Sequence, residues 1–165
     1  MNESSYTHVV HTFAPVYDEH SRILILGSFP SVKSRENRFY YGNPKNRFWR
    51  VISAIAKSPV PETIDEKKNL LLSNGIAIWD VIHSCDIKGS SDSSIRNVTA
   101  NDLTEILNTA DIRLICGNGA KACDLYRRYI LPVTGIDIHR LPSTSPANAA
   151  ATLESLISSW THTLI

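Results

Sequence analysis

"LILGSFPSVKSRENRFYYGNPKNRFW" runs from Leu24 to Trp49 and changes character part-way along. Leu24–Leu26 is the apolar run of a buried strand, and Gly27 breaks it. Gly27 lets the chain leave sharply, and Pro30 fixes φ and removes a donor, so the loop "GSFPS" is stiff. The stretch beyond Ser31 is crowded with positive charge, aromatic rings, glycine, proline and asparagine. From Asn46 onward Trp49, Ile52, Ile55 and Ala56 fall at helical spacing, which predicts a helix over Asn46–Lys57. Strand, rigid polar loop and helix form the first unit of an α/β fold.

The rest of the chain repeats that grammar. Apolar runs at Arg22–Leu26, Ile76–Trp79, Ile112–Cys116 and Ile136–His139 read as strands. Helical patterns lie between them. One spans Glu62–Asn74 and is stopped by Gly75; a second, holding Leu103, Ile106 and Leu107, is one that Asn101 can cap. A third follows Gly119, and the last is expected from about Ala147 to Trp160. Strands alternating with helices predict a parallel sheet covered on both faces, with its ligand at the carboxyl ends of the strands. No repeat, low-complexity tract or linker divides the chain, so residues 1–165 are expected to form a single domain.

At 165 residues and 42% hydrophobic content the chain can bury a sizeable core. No stretch is long and apolar enough to span a bilayer, and "MNESSYTHVV" lacks the pattern of a secretory signal. The three cysteines, Cys85, Cys116 and Cys123, show no metal spacing and read as buried free thiols in a reducing compartment. A cytoplasmic protein acting as a monomer is expected, with no metal and no organic cofactor. Net charge is only +1, yet Lys33, Arg35, Arg38, Lys45, Arg47 and Arg50 face the single acid Glu36 within residues 33–50. Such a cluster is either a solvated loop or a surface that meets a polyanion.

The chemistry must come from the strand-end loops. Phe29, Phe39, Tyr40 and Tyr41 are candidates for stacking on a planar ligand, or are core. Asn46 sits where a helix begins. It is either an N-cap or a polar group facing the cleft, with the donor and acceptor needed to position a water. Asp80 ends the second strand in "IAIWDVIHSC" and either pairs with a cation or loop amides, or accepts a ring N–H from a heterocycle. "KGSSDSSIRN" after it has the small polar residues of a flexible binding loop. In "CGNGAKA", Gly117, Gly119 and Ala122 match a dinucleotide pattern, but after the wrong strand, so close backbone approach or a helix start is the better reading. "LPSTSPAN" places Ser143, Thr144 and Ser145 between two prolines ahead of a helix, equipment for a phosphate. Asp137 and His139 near these serines lack the G-x-S-x-G elbow of a hydrolase.

Taken in order, "LILGSFPS", "YYGNPKNRFW", "GIAIWDVI", "DSSI", "CGNGAKA" and "LPSTSPAN" resemble the uracil-DNA glycosylase superfamily, and most closely its hypoxanthine-DNA glycosylase branch. The similarity covers about Phe13 to Trp160. It implies a three-layer α/β/α sandwich around a four-stranded, mainly parallel sheet. Where mismatch-specific uracil glycosylases carry a catalytic asparagine in "GINPG", this chain has Phe29 in "GSFPS". In the last motif Leu141 stands where many members have His or Asn. The hypoxanthine branch shares both departures and is thought to use the asparagine of "P-x-N-R-F-W", here Asn46.

The resemblance implies a monofunctional glycosylase that removes deaminated bases from DNA, hypoxanthine first and uracil as a further substrate. It casts Asn46 as catalytic. Phe29, Asp80, Gly27, Ser28 and Tyr41 become base-binding, and Ser31, Ser143, Thr144, Ser145, Arg35 and Arg38 bind the DNA backbone. The alternatives are a G·U mismatch-specific uracil glycosylase and a non-catalytic DNA-binding module of the same fold.

Overall fold

A computed structural model describes residues 5–165. The opening residues on which the reading of no secretory signal partly rests, Met1–Ser4, lie outside it. Four strands form a wholly parallel sheet in the order β3-β2-β6-β7: β2 (Ile23–Gly27), β3 (Ile76–Asp80), β6 (Leu114–Asn118) and β7 (His139–Leu141). Their short apolar runs follow from burial on both faces, which removes any polar alternation. Ile25 pairs with Ile78 on one side and Cys116 on the other, so their side chains share a face.

That face is covered by α2 (Phe48–Ala56), α3 (Ile64–Ser73) and α7 (Leu153–Leu164), around Phe48, Ile52, Leu71, Leu156 and Trp160. The opposite face, carrying Leu24, Leu26, Ala77 and Ile115, packs on α4 (Thr104–Thr109) and α5 (Ala120–Tyr129) through Ile106, Cys123 and Tyr126. The three-layer sandwich is therefore present. Two short helices, α1 (Val32–Asn37) and α6 (Leu131–Thr134), and a 3-10 turn at Asp92–Ser94 are also present. All three cysteines are buried free thiols, and burial pushes Cys85 up to about 11.

A second sheet departs from the sequence reading. β1 (Thr7–Val10), β4 (Ile82–Ile87) and β5 (Arg96–Ala100) form an antiparallel sheet in the order β1-β4-β5. Only Val81 separates β3 from β4, so one extended segment leaves the parallel sheet and enters the other. Part of "KGSSDSSIRN", expected as flexible loop, is strand; β5 shows solvent mostly polar side chains and so lacks an apolar signature.

Three boundaries also move. β7 begins at His139, three residues after the expected start, and α7 begins at Leu153 behind a Thr152–Ser155 capping box, not at Ala147. The "LPSTSPAN" loop thus does not sit on a helix N-terminus. Asn101 does not cap α4. It is buried, and its amide donates to the carbonyls of Asp80 (2.8 Å) and Ile82 (3.1 Å), pinning the β3–β4 crossing. Asp102 accepts from Thr104 N–H in its place.

Candidate active site

The carboxyl ends of β2, β3 and β6 open into a cleft of about 260 Å³. Gly27, Ser28, Phe29, Ser31, Tyr41, Asn46, Asp80, Ser143, Thr144 and Ser145 all line it, so the structure gathers these sequence-predicted residues into one place. Arg35 and Arg38 stand apart from this lining.

The 43–46 turn, with Pro44 in second position, closes on an Asn46 N–H to Asn43 C=O bond of 2.9 Å and delivers Asn46 to the cleft. The two readings of Asn46 prove compatible, because its amide has two ends. Oδ1 accepts from Phe48 N–H at 2.9 Å, a cap-like bond at the start of α2, although Arg47 holds the formal cap position. Oδ1 also accepts from the Thr144 hydroxyl at 2.8 Å.

The direction of that second bond is set by a chain of donors. Thr144 N–H donates to Asn118 Oδ1 (3.0 Å), which makes Asn118 Nδ2 the donor to Thr144 Oγ1 (3.0 Å). The Thr144 hydroxyl proton is then directed to Asn46 Oδ1. Among the described residues Asn46 Nδ2 has no hydrogen-bond partner, so an N–H donor faces the cleft.

This network corrects the assignment of Thr144 to the DNA backbone. Its side chain is fully buried, and its hydroxyl is committed to Asn46 Oδ1 as donor and to Asn118 Nδ2 as acceptor, so it positions Asn46. Ser143 and Ser145 stay half-buried, Ser143 Oγ accepting from Ser145 N–H and Ser145 Oγ from Ala147 N–H. Ser31 caps α1 by accepting from Ser34 N–H at 3.2 Å.

Arg47, counted with the basic cluster, is a clamp. Its guanidinium donates to the carbonyls of Thr144, Ser145, Asn148 and Ala151 and so fixes the loop that carries Thr144. Arg35 donates to Gly89 C=O at 2.8 Å and lies 5.6 Å over the Phe29 ring. Arg38, Lys33, Lys45 and Arg50 remain exposed.

Of the four rings proposed for stacking, three have other partners. Phe39 and Tyr40 are core, with the Tyr40 hydroxyl donating to Ala14 C=O. Tyr41 lies flat on Phe48, centroids 3.9 Å apart at 19°. Phe29 is buried too, in the core cluster with Leu24 and Leu26, but it borders the cleft and, among the described residues, no other aromatic ring stacks flat on it.

Asp80 is buried at the end of β3, directly across from Gly27 of β2. Gly27 does not have the positive φ of a tight turn. Its function is space: a Cβ there would overlap Asp80 Oδ1 and lie 3.3 Å from the Tyr41 hydroxyl. Gly119 does use its freedom, at φ 93°, packing against Ser143 at the start of α5.

Three site residues went unnoticed in the sequence, the first being Asn118 at the end of β6. His11, just after β1, is buried, and its Nε2 lies 2.8 Å from Asp80 Oδ2. A lone histidine in "VVHTF" carries no local signal, because its partner lies in another strand. Asp92, in the "DSSI" segment, accepts from Ser28 Oγ at 2.9 Å at the cleft wall. Although the residue is largely exposed, desolvation of its carboxyl raises its pKa, with Asp80 adding to the effect and Ser28 and Lys121 opposing it.

An α/β/α sandwich with an asparagine amide, a ring and a carboxylate converging at the ends of its parallel strands defines the architecture of a base-excising glycosylase. The chain belongs to the uracil DNA glycosylase superfamily, whose family profile matches residues 14–161. It is 39% identical over 138 residues to a hypoxanthine DNA glycosylase of Methanosarcina acetivorans, covering 82% of this chain and 86% of that one. A hypoxanthine DNA glycosylase of Methanosarcina barkeri is 34% identical over 151 residues, 90% of this chain and 93% of the relative. A solution NMR structure from M. acetivorans, described as a candidate uracil DNA glycosylase, superposes with a TM-score of 0.78 at 36% identity. That match spans 92% of this chain and 94% of the other.

Proposed function

We propose that this protein is a monofunctional DNA glycosylase that excises hypoxanthine from deoxyinosine and leaves an abasic site. The observation that carries the reading is the fixed orientation of the Asn46 amide, N–H toward the cleft, beside Phe29 and Asp80. The names of the relatives at 39% and 34% identity support the substrate.

The target nucleotide leaves the stack and its base enters the cleft, at a cost of a few kcal/mol. The base stacks on Phe29, and Asp80 accepts from its ring N–H. As the C1′–N9 bond breaks, the base departs with the bonding pair and the sugar gains oxocarbenium character. Asn46 Nδ2 donates to a water oxygen and holds it beside C1′. That oxygen forms the new C–O bond and loses a proton, while the departing base gains one.

Lys33, Arg38, Lys45 and Arg50 supply the exposed positive charge for the backbone, with Ser31, Ser143 and Ser145 at the cleft rim.

The test incubates end-labelled duplexes bearing deoxyinosine, deoxyuridine or deoxyxanthosine and then treats them with alkali. Deoxyinosine strands are expected to break only after alkali. Breaks without alkali would indicate a lyase, and absence of alkali-labile sites would refute the activity.

A further inference from the structure

We infer that the Tyr41 hydroxyl and Asp80 Oδ1 form a donor–acceptor couple that reads the lactam edge of a deaminated base, a ring N–H beside a carbonyl. The inference rests on the glycosylase reading and specifies what its cleft selects. Tyr41 is therefore a hydrogen-bonding residue and not a stacking one.

Three observations place the couple. The Tyr41 ring is occupied on one face by Phe48, and Trp49 meets it near edge-on at 6.4 Å and 76°. Its hydroxyl is buried, and the nearby Asn118 amide, engaged with Thr144 through both its atoms, makes no hydrogen bond of normal geometry to it, which is costly for a phenol unless a ligand completes it. Its backbone is left-handed at φ 54°, a conformation that non-glycine residues adopt rarely and that clusters at functional sites. On the Asp80 side, His11 occupies Oδ2, and among the described residues Oδ1 has no protein donor. Both free atoms close over the bare Cα of Gly27. Burial, and then the nearby charge of Asp80, push the Tyr41 pKa well up against the smaller opposing effect of the Asn118 side chain, so the phenol keeps its proton and can donate.

That geometry suits one kind of base edge. Hypoxanthine offers N1–H to Asp80 Oδ1 and O6 to the Tyr41 hydroxyl; uracil offers N3–H and O4. Adenine presents a bare N1 lone pair to the carboxylate and an amino group to the phenol, and cytosine does the same with N3 and its 4-amino group. The couple thus separates a deaminated base from its amino parent. Guanine and thymine carry the lactam edge too, so their exclusion falls to the stability of their pairs in the duplex.

Tyr41→Phe tests this, because it keeps the stack on Phe48 and removes only the oxygen. One readout is single-turnover excision of deoxyinosine. The other is affinity for duplexes with a non-hydrolysable 2′-fluoroarabino linkage, carrying hypoxanthine or purine, the parent ring that lacks both the 6-oxygen and the N1 proton. The variant should melt at or above the wild-type temperature and excise deoxyinosine about tenfold or more slowly, the loss of one hydrogen bond. Its preference for hypoxanthine over purine should shrink by a similar factor. Excision at the wild-type rate, or slower excision with the preference intact, would overturn the couple. A wild-type protein that releases no hypoxanthine would overturn the proposed activity, and this inference with it.

Discussion

Replacing Asn46 separates capping from chemistry. Asn46→Ala removes the acceptor of two bonds, from Phe48 N–H and from the Thr144 hydroxyl. The first is a helix-start bond, worth about 1 kcal/mol. The second strands a fully buried hydroxyl, adding about 1–3 kcal/mol. A protein of ordinary stability, about 5–15 kcal/mol, should remain folded after that combined loss. Asn46→Asp keeps an oxygen for both bonds but turns the cleft-facing N–H into an acceptor. Both variants should therefore lose excision on the order of 10²-fold or more, the scale of one preorganised donor. Only the alanine variant should lose substantial stability. The assay is single-turnover excision of hypoxanthine together with thermal melting of each variant. Wild-type excision by Asn46→Asp would show that an acceptor is needed and that the donor assignment is wrong. Wild-type excision by Asn46→Ala would leave Asn46 a structural residue only.

Arg47→Lys should destabilise the protein by about 2–3 kcal/mol, since an ammonium cannot replace a fork that serves four carbonyls. Excision should fall with it although Arg47 touches no substrate; unchanged melting and excision would remove the clamp from the account. Asp92 binds its proton more tightly folded than unfolded, so its contribution is complete below the ordinary carboxyl range and is lost as pH rises through the raised pKa. Urea denaturation of wild type and Asp92→Asn at a series of pH values should show the variant gaining on wild type across that window, and a constant difference would contradict the shift. Arg38→Glu with Lys45→Glu should weaken binding to damaged and undamaged duplexes alike, and flatten the salt dependence by about 0.9 log units for each phosphate no longer neutralised. Unchanged affinity in a filter-binding salt series would move the DNA surface elsewhere.

The layered fold was legible because each strand of the parallel sheet is buried on both faces and so appears as a short unbroken apolar run. The second sheet was hidden for the opposite reason. In β5, "RNVTA", the side chains are half-buried or exposed, and β4 interleaves His83, Ser84 and Asp86 with its buried Ile82, Cys85 and Ile87. Such strands exist through pairing with another strand, and local pattern does not encode a partner. Gly27 was legible as a glycine that mattered, but for the wrong reason. A turn and a close approach look alike in one letter, and only the register opposite Asp80 tells them apart.

Asn46 shows most clearly where reading a chain stops. Residue type and position put an amide at the cleft, and they left its cap and its chemistry as competing readings. An amide is asymmetric, so one end can bind the protein while the other meets the substrate. Which end does which is decided by the Thr144 hydroxyl, 98 residues away, and Thr144 is set in turn by Asn118. A phosphate role for Thr144 was the natural inference from a serine- and proline-rich loop expected to precede a helix. With α7 starting at Leu153, Arg47 folds that loop back and turns Thr144 inward. Asn46 therefore depends on three elements at once: the 43–46 turn brings it in, β6 ends in Asn118, and the clamped loop supplies Thr144. Loosening the loop should reverse or free the amide while Asn46 itself, Phe29 and Asp80 stay unchanged in sequence.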